Sequence, residues 1–400
     1  MPRAVMAALL LVLLAAMVTV GCSSSTSTDK EQEGETLNAG HRILELEYEN
    51  PEGAQEILTA AVWYPTYSEP QSYTYKGAED HESNVALDAP MAAGGPYPLI
   101  IFAHGGYGSG YDSAYFMEYL VKNGYIAVAP DYKDTKPSDY EDQVAFARIK
   151  EGNVESKARV LRVASQFVDD MNENRELLLW YLATHRLDPT AFIIDKMHEL
   201  NGDPDSIFYQ AVDEEAVGIC GHSLGGLTSE GMIGAYPDQT FTDDRIKAAL
   251  ILSAPTYPFE QTIGNIDTPI MFMVGDNDET TLGQEFRRRL AYELANPPKY
   301  MIFLQDATHF AFANRVCGDT ALYQAVEYNS QANAICRYGY DFFQAYLLGD
   351  LSALEQLEEP DDAFAYYIIE PEPGQVMEWG EEPPPNDGSH GGIRDEFGPF

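Results

Sequence analysis

Short, wholly apolar runs alternate with longer stretches of mixed polarity through most of this chain. Pro98-Leu99-Ile100-Ile101-Phe102-Ala103, Val217-Gly218-Ile219-Cys220, Pro269-Ile270-Met271-Phe272-Met273-Val274 and Tyr300-Met301-Ile302-Phe303-Leu304 each read as a strand buried on both faces. Between them the period changes. Leu227 to Ala235 reads as a helix, and Val160, Val163, Ala164, Phe167, Val168 and Met171 give helical spacing to Val154–Leu182, with a further helix over Ala191–Leu200. Strands alternating with helices predict an α/β class, with a mostly parallel central sheet and helices on both faces. A helical insert at 133–213 precedes the strand at 217–220. It fits either a cap over an active site or a crossover helix with a long loop. The motif spacing predicts one large domain, 39–355, and no internal repeat is evident.

The two ends of the chain have other patterns. Arg3 is followed by the apolar run Ala4 to Gly21, then Cys22 and the polar stretch Ser23 to Thr28. A charged start, an apolar middle and a small residue at the break predict a signal peptide over 1–21. Thr19-Val20-Gly21-Cys22 resembles a bacterial lipoprotein signal, although Thr19 stands where leucine is usual. The resemblance implies acylation of Cys22, a polar tether over 22–38, and export to the bacterial cell envelope on a lipid anchor. A soluble secreted protein is the alternative, and a retained anchor helix the third reading. Residues 356–400 are rich in Glu, Asp, Pro and Gly and predict an acidic extension, mobile from about Glu370. In an exported chain Cys317 and Cys336 are expected to form a disulfide, while Cys220 fills a buried strand. Metal-ligand spacing is missing, and Asn201-Gly202-Asp203-Pro204-Asp205 reads as a turn rather than a calcium loop, so neither metal nor cofactor is expected. The formal net charge is −40, from 64 acidic and 24 basic residues. That argues against nucleic acid as a partner and against anionic substrates, and favours small neutral ones.

The candidate chemistry begins at Gly221-His222-Ser223-Leu224-Gly225-Gly226, directly after an apolar strand and before a helix. A serine hydroxyl is a poor nucleophile unless a sharp strand-to-helix turn presents it to a base, and glycines two positions either side remove the clashing Cβ atoms. A base and an acid follow in the order that such sites use: Asp276 and Asp278 after the strand ending at Val274, and His309 after the strand ending at Leu304. Asp278 lies further into its loop and is the first choice over Asp276; Asp306 sits too close to His309 in sequence. His104 and His222 lie in Gly-rich turns and are expected to order loops, and His185 and His198 are surface residues of the insert. Two N–H donors are needed for an oxyanion. Leu224 is one candidate, and the loop His104-Gly105-Gly106-Tyr107-Gly108-Ser109-Gly110 supplies the other, Gly106 first and Tyr107 second. Losing such a donor costs roughly 3 to 4 kcal/mol in the barrier.

Taken in order, Ala61-Val62-Trp63-Tyr64-Pro65, Ile101-Phe102-Ala103-His104-Gly105-Gly106, Gly124 to Tyr132, Gly221 to Gly226, Gly275-Asp276-Asn277-Asp278 and Thr308-His309-Phe310 resemble the α/β-hydrolase superfamily. Within it the chain resembles the branch of dienelactone hydrolases, platelet-activating-factor acetylhydrolases and polyester-cleaving cutinases, over roughly residues 40 to 350. Some acetylhydrolases place the acid after the strand that follows the serine, but here that strand ends Leu252-Ser253-Ala254-Pro255 without one. The resemblance to cutinases supports Asp278. It also implies a substrate contact from Tyr257, an aromatic residue in the loop after Ala254-Pro255; Tyr107 is a further candidate substrate contact. The resulting expectation is a serine carboxylic-ester hydrolase acting on neutral esters through Ser223, His309 and Asp278. Another acyl-transfer activity on the same residues (peptidase, acyltransferase or polyester depolymerase) and a non-catalytic surface lipoprotein are the alternatives.

Overall fold

The computed structural model describes residues 36–76, 80–106, 108–132, 174–278 and 289–382. Twelve strands among them form one sheet: β1 (Asn38–Glu49), β2 (Gln55–Thr66), β3 (Gln71–Tyr75), β4 (His81–Leu87), β5 (Tyr97–Ala103), β6 (Ile126–Pro130), β7 (Val212–His222), β8 (Ile246–Leu252), β9 (Ile270–Gly275), β10 (Lys299–Leu304), β11 (Phe364–Glu370) and β12 (Met377–Gly380). Their order is β12-β11-β10-β9-β8-β7-β5-β6-β2-β1-β4-β3. The central run from β6 through β5, β7, β8 and β9 to β10 is parallel, with antiparallel β2 on one side and β11 on the other. The apolar runs read from sequence are the middle of this sheet. Alternation along each strand sends Leu99, Ile101, Ala249 and Ile251 to one face and Ile100, Phe102, Leu250 and Leu252 to the other. Both faces bury those side chains, so no polar stripe was selected in them.

Helices cover the two faces. One layer holds α1 (Ala114–Lys122), and the other receives α2 (Arg175–Leu182), a π turn (Ala183–Leu187), α3 (Asp188–Gly202) and α4 (Leu224–Glu230). Further along come α5 (Leu290–Leu294), α6 (Ala325–Tyr328), α7 (Ser330–Leu348) and α8 (Leu351–Leu357), with α7 packing beside α1 and α8 against α7. The described part of the insert is α2, the π turn and α3, which cover the sheet between β6 and β7. The expected helical spacing at Val160 to Met171, with the rest of 133–173, falls outside the described residues, as do the signal segment, Cys22 and most of the tether. Among the described residues no helix is long and apolar enough to cross a membrane.

Two expectations are corrected. The segment 356–400 is not an appendage from its start: β11 pairs antiparallel with β10, and β12 extends the edge, its Trp379 stacked on Tyr367 at 5.4 Å. The aromatic and aliphatic residues of Phe364–Glu370 fill a sheet edge that the acidic composition around them obscures. Cys317 and Cys336 are free thiols, not a disulfide. Both lie in the apolar core that holds α1 and α7, where burial pushes Cys317 up to about 12 and Cys336 well above the ordinary thiol range. Disulfide exchange needs a thiolate, and desolvation disfavours it there.

Candidate active site

β7 runs into α4 through a single residue, Ser223, whose backbone takes φ 56° and ψ −120°. A non-glycine residue in this region carries strain of order 1–3 kcal/mol, which persists only where surroundings impose it. They do so here. The Ser223 N–H donates to Leu252 O at 2.8 Å, and Ser223 O accepts from Gly226 at 2.8 Å and from Leu227 at 3.2 Å. The turn is too tight for side chains on its flanks: a Cβ on Gly221 would lie 2.1 Å from Gly225 O, and one on Gly225 would lie 1.9 Å from Ala103 O. The glycines in Gly-His-Ser-Leu-Gly are therefore required by close approach of β7, α4 and the end of β5. Leu224 opens α4, so its N–H belongs to the first turn, where intrahelical acceptors do not exist.

β9 and β10 end beside each other and deliver the candidate acid and base. Asp276 and Asn277 N–H groups donate to Leu304 O and Ala307 O, both at 3.0 Å, which laces the β9 turn to the β10 turn. Asp278, 1% exposed, then accepts from His309 Nδ1 at 2.9 Å; His309 is 6% exposed. A carboxylate oxygen only accepts, so Nδ1 carries the proton and the lone pair of the neutral ring is on Nε2. Asp276 stays in the turn half-buried, and Asp306 is exposed at a left-handed position, φ 55°. His222, the neighbour of Ser223, donates from Nε2 to His309 O at 2.8 Å, with the two rings 4.7 Å apart. Burial, with His309 beside it, depresses His222 to about 3. It is a neutral strut between the serine turn and the histidine loop, the loop-ordering part read from sequence.

The loop after β5 completes the cluster. A Cβ on Gly105 would fall 3.5 Å from Ser223 Cβ, which places this backbone against the serine, and Gly106 follows in a half-buried turn. Tyr107 lies outside the described residues. His104 is fully buried: Nδ1 donates to Gly105 O at 2.7 Å and Nε2 accepts from the Tyr132 N–H at 3.1 Å. Tyr257 is half-buried in the loop after β8, whose Pro258 O accepts from Arg175 Nε at 3.0 Å.

Three residues that sequence reasoning passed over hold these loops. Asn314 donates from Nδ2 to Tyr111 O at 2.7 Å and from its N–H to Asp112 O at 2.6 Å, while Ser113 Oγ donates to Phe312 O at 2.6 Å. These bonds tie the histidine loop to the segment opening α1. Arg186, in the π turn, donates to His104 O and Gly105 O. A lone Asn after the histidine has no sequence signature. Arg186 had one weak signal, a cation in an otherwise apolar helical register. Among the described residues no group of three or more His, Cys, Asp or Glu side chains could hold a metal ion. A buried base fixed by an acid, set beside a strained serine and two sources of N–H donors, can carry out acyl transfer.

The family model of platelet-activating factor acetylhydrolase, isoform II, matches residues 71–314, more than half of the chain and a span that holds Ser223, Asp278 and His309. A platelet-activating factor acetylhydrolase of Cavia porcellus is 26% identical over 199 residues, which cover 46% of this chain and 42% of that protein. The chain thus matches less than half the length of that relative. A solved ferulic acid esterase from Streptomyces cinnamoneus has a TM-score of 0.52 at 17% identity, over 82% of this chain and 94% of the other. That likeness concerns the fold, an α/β-hydrolase architecture with a parallel core and helices on both faces.

Proposed function

Because the chain belongs to the family of platelet-activating factor acetylhydrolase, isoform II, we propose that this esterase is a serine carboxylic-ester hydrolase acting on neutral esters with short acyl groups. The observation that carries the reading is the buried Asp278–His309 hydrogen bond at 2.9 Å, held next to the serine turn by His222. Ser223 Oγ attacks the ester carbonyl carbon while His309 Nε2 takes its proton. The carbonyl π pair moves onto oxygen, facing the N–H groups of Leu224 and Gly106. Asp278 holds the Nδ1–H tautomer and stabilises the imidazolium. Collapse of the tetrahedral adduct breaks the bond to the alkoxy group, which leaves with the proton from His309. Water then attacks the acyl-Ser223 carbonyl with His309 as base, releasing the carboxylic acid and restoring the serine.

The relative's name makes acetyl esters the first acyl group to test, and the net charge of −40 favours uncharged substrates over anionic ones. Tyr257, half-buried in the loop after β8, is the proposed substrate contact. Lipid attachment at Cys22, with the enzyme held at the bacterial envelope, remains part of the proposal on the sequence alone. The direct check is hydrolysis of p-nitrophenyl esters of graded acyl length by wild type, Ser223→Ala and His309→Ala. Turnover highest on acetyl and lost by at least about a thousandfold in both variants is expected. Turnover that survives Ser223→Ala contradicts the assignment.

A further inference from the structure

We infer that Arg186 is the positioning residue of the oxyanion-forming loop: a buried guanidinium, supplied by the insert, that fixes the peptide planes from which the Gly106 N–H is presented. This rests on the serine-esterase reading above and goes beyond it, since it gives the insert a part in the reaction.

Arg186 is 0% exposed. It lies in the π turn Ala183–Leu187, and such widened turns recur at functional sites because they redirect side chains out of the helical register. Nη1 donates to His104 O at 2.6 Å and Nη2 to Gly105 O at 3.4 Å, so one planar group spans two successive carbonyls. The guanidinium carbon stands 4.3 Å from the centre of the Tyr132 ring, a cation–π contact in a desolvated setting. The backbone of the turn is fixed as well. Thr190 Oγ1 donates to Arg186 O at 2.6 Å, and Tyr132 OH lies 2.6 Å from the same Thr190 hydroxyl.

Planar trans peptides connect these contacts to the reaction. Carbonyl and N–H point in opposite directions across a trans peptide. Pinning His104 O toward Arg186 turns the Gly105 N–H away from it, and pinning Gly105 O does the same for the Gly106 N–H. Gly105 O also accepts from His104 Nδ1 at 2.7 Å and from the Gly108 N–H at 3.2 Å, so its orientation is set from three sides. The loop itself lies against the serine turn, since a Cβ on Gly105 would meet Ser223 Cβ at 3.5 Å. A buried positive charge on the carbonyl ends further polarises those peptides toward donation, which matters most where water is excluded. Glycines at 105 and 106 give the loop close approach but also the freedom to flip. Arg186 removes that freedom.

The test compares Arg186→Met, similar in length and apolar, and Arg186→Lys with wild type. Thermal unfolding first establishes that each variant is folded. Steady-state kinetics on a p-nitrophenyl ester and inhibition by a trifluoromethyl ketone follow; the ketone adds Ser223 Oγ and leaves an oxyanion in the same place as the reaction does. The expected result for Arg186→Met is a fall of about a hundredfold in kcat with KM within about twofold, and a trifluoromethyl ketone Ki raised by a similar factor. Arg186→Lys, a single donor head without the fork, should fall between the two. It decides the matter if the methionine variant does not fold. A folded variant with kcat and Ki both within about twofold of wild type overturns the inference, as does a loss confined to KM. Ser223→Ala is measured alongside. If wild-type turnover does not depend on Ser223, the underlying reading fails; if it does and the Arg186 variants behave as wild type, only the part given to Arg186 fails.

Discussion

Ser223 shows how much of the site is decided at one position. Its φ of 56° is a conformation that costs any side chain and costs glycine little. Ser223→Ala removes the hydroxyl and keeps the strain, while Ser223→Gly removes both. The glycine variant is therefore expected to unfold at a higher temperature than the alanine variant, with about 1 kcal/mol between them, and neither should turn over ester. Equal stability would show that the turn stores no strain. The same residue was the most legible one in the sequence, because Gly221 and Gly225 answer to steric needs that a motif records. Asp278 was legible as the first choice of two candidates. Asp276 and Asp278 share composition and neighbourhood, and what separates them is a hydrogen bond to His309 across the ends of two strands. Arg186 was legible least. Its importance lies in two carbonyls more than eighty positions earlier in the chain, and a sequence pattern carries nothing about main-chain acceptors.

At the scale of elements, apolar runs marked β5, β7, β9 and β10, because a strand buried on both faces has nowhere to put a polar residue. Ala191–Leu200 reappears inside α3 and Leu227–Ala235 across α4 and the π turn after it, each within a few residues of its expected ends. β11 escaped notice since Glu, Asp and Pro surround it, although Tyr366, Tyr367, Ile368 and Ile369 carry strong strand propensity. α7 contains a titratable position with a measurable consequence. Burial, reinforced by Asp350 and opposed by Arg337, raises Asp341 from 3.8 to about 6. A carboxyl whose folded value lies above its unfolded value favours the folded state when protonated, and ionising it works against folding as pH climbs from about 4 past about 6. Asp341→Asn should thus raise Tm at pH 8 and leave it unchanged near pH 4. A gain of the same size at both values would mean that the effect is packing rather than ionisation.

For the molecule as a whole, the excess of 64 acidic over 24 basic residues sets the surface potential. Like charges repel most in the compact state, and salt shortens their reach to about 10 Å at 0.1 M and about 3 Å at 1 M. Tm is expected to rise with sodium chloride across that range; a flat or falling midpoint would count against self-repulsion as a stability determinant. The sheet gathers residues far apart in sequence at one edge: Gly105 after β5, Ser223 after β7, Tyr257 after β8, Asp278 after β9 and His309 after β10. This convergence of strand ends is what a parallel sheet provides for chemistry, and it puts an activated serine at the centre of the reaction. The most direct measurement is peptide mapping by mass spectrometry after exposure of wild type and His309→Ala to a fluorophosphonate probe. A phosphonyl adduct on Ser223 in wild type, formed much more slowly without His309, is the predicted result. Absence of label from folded wild type, or label on another residue, would contradict an activated Ser223.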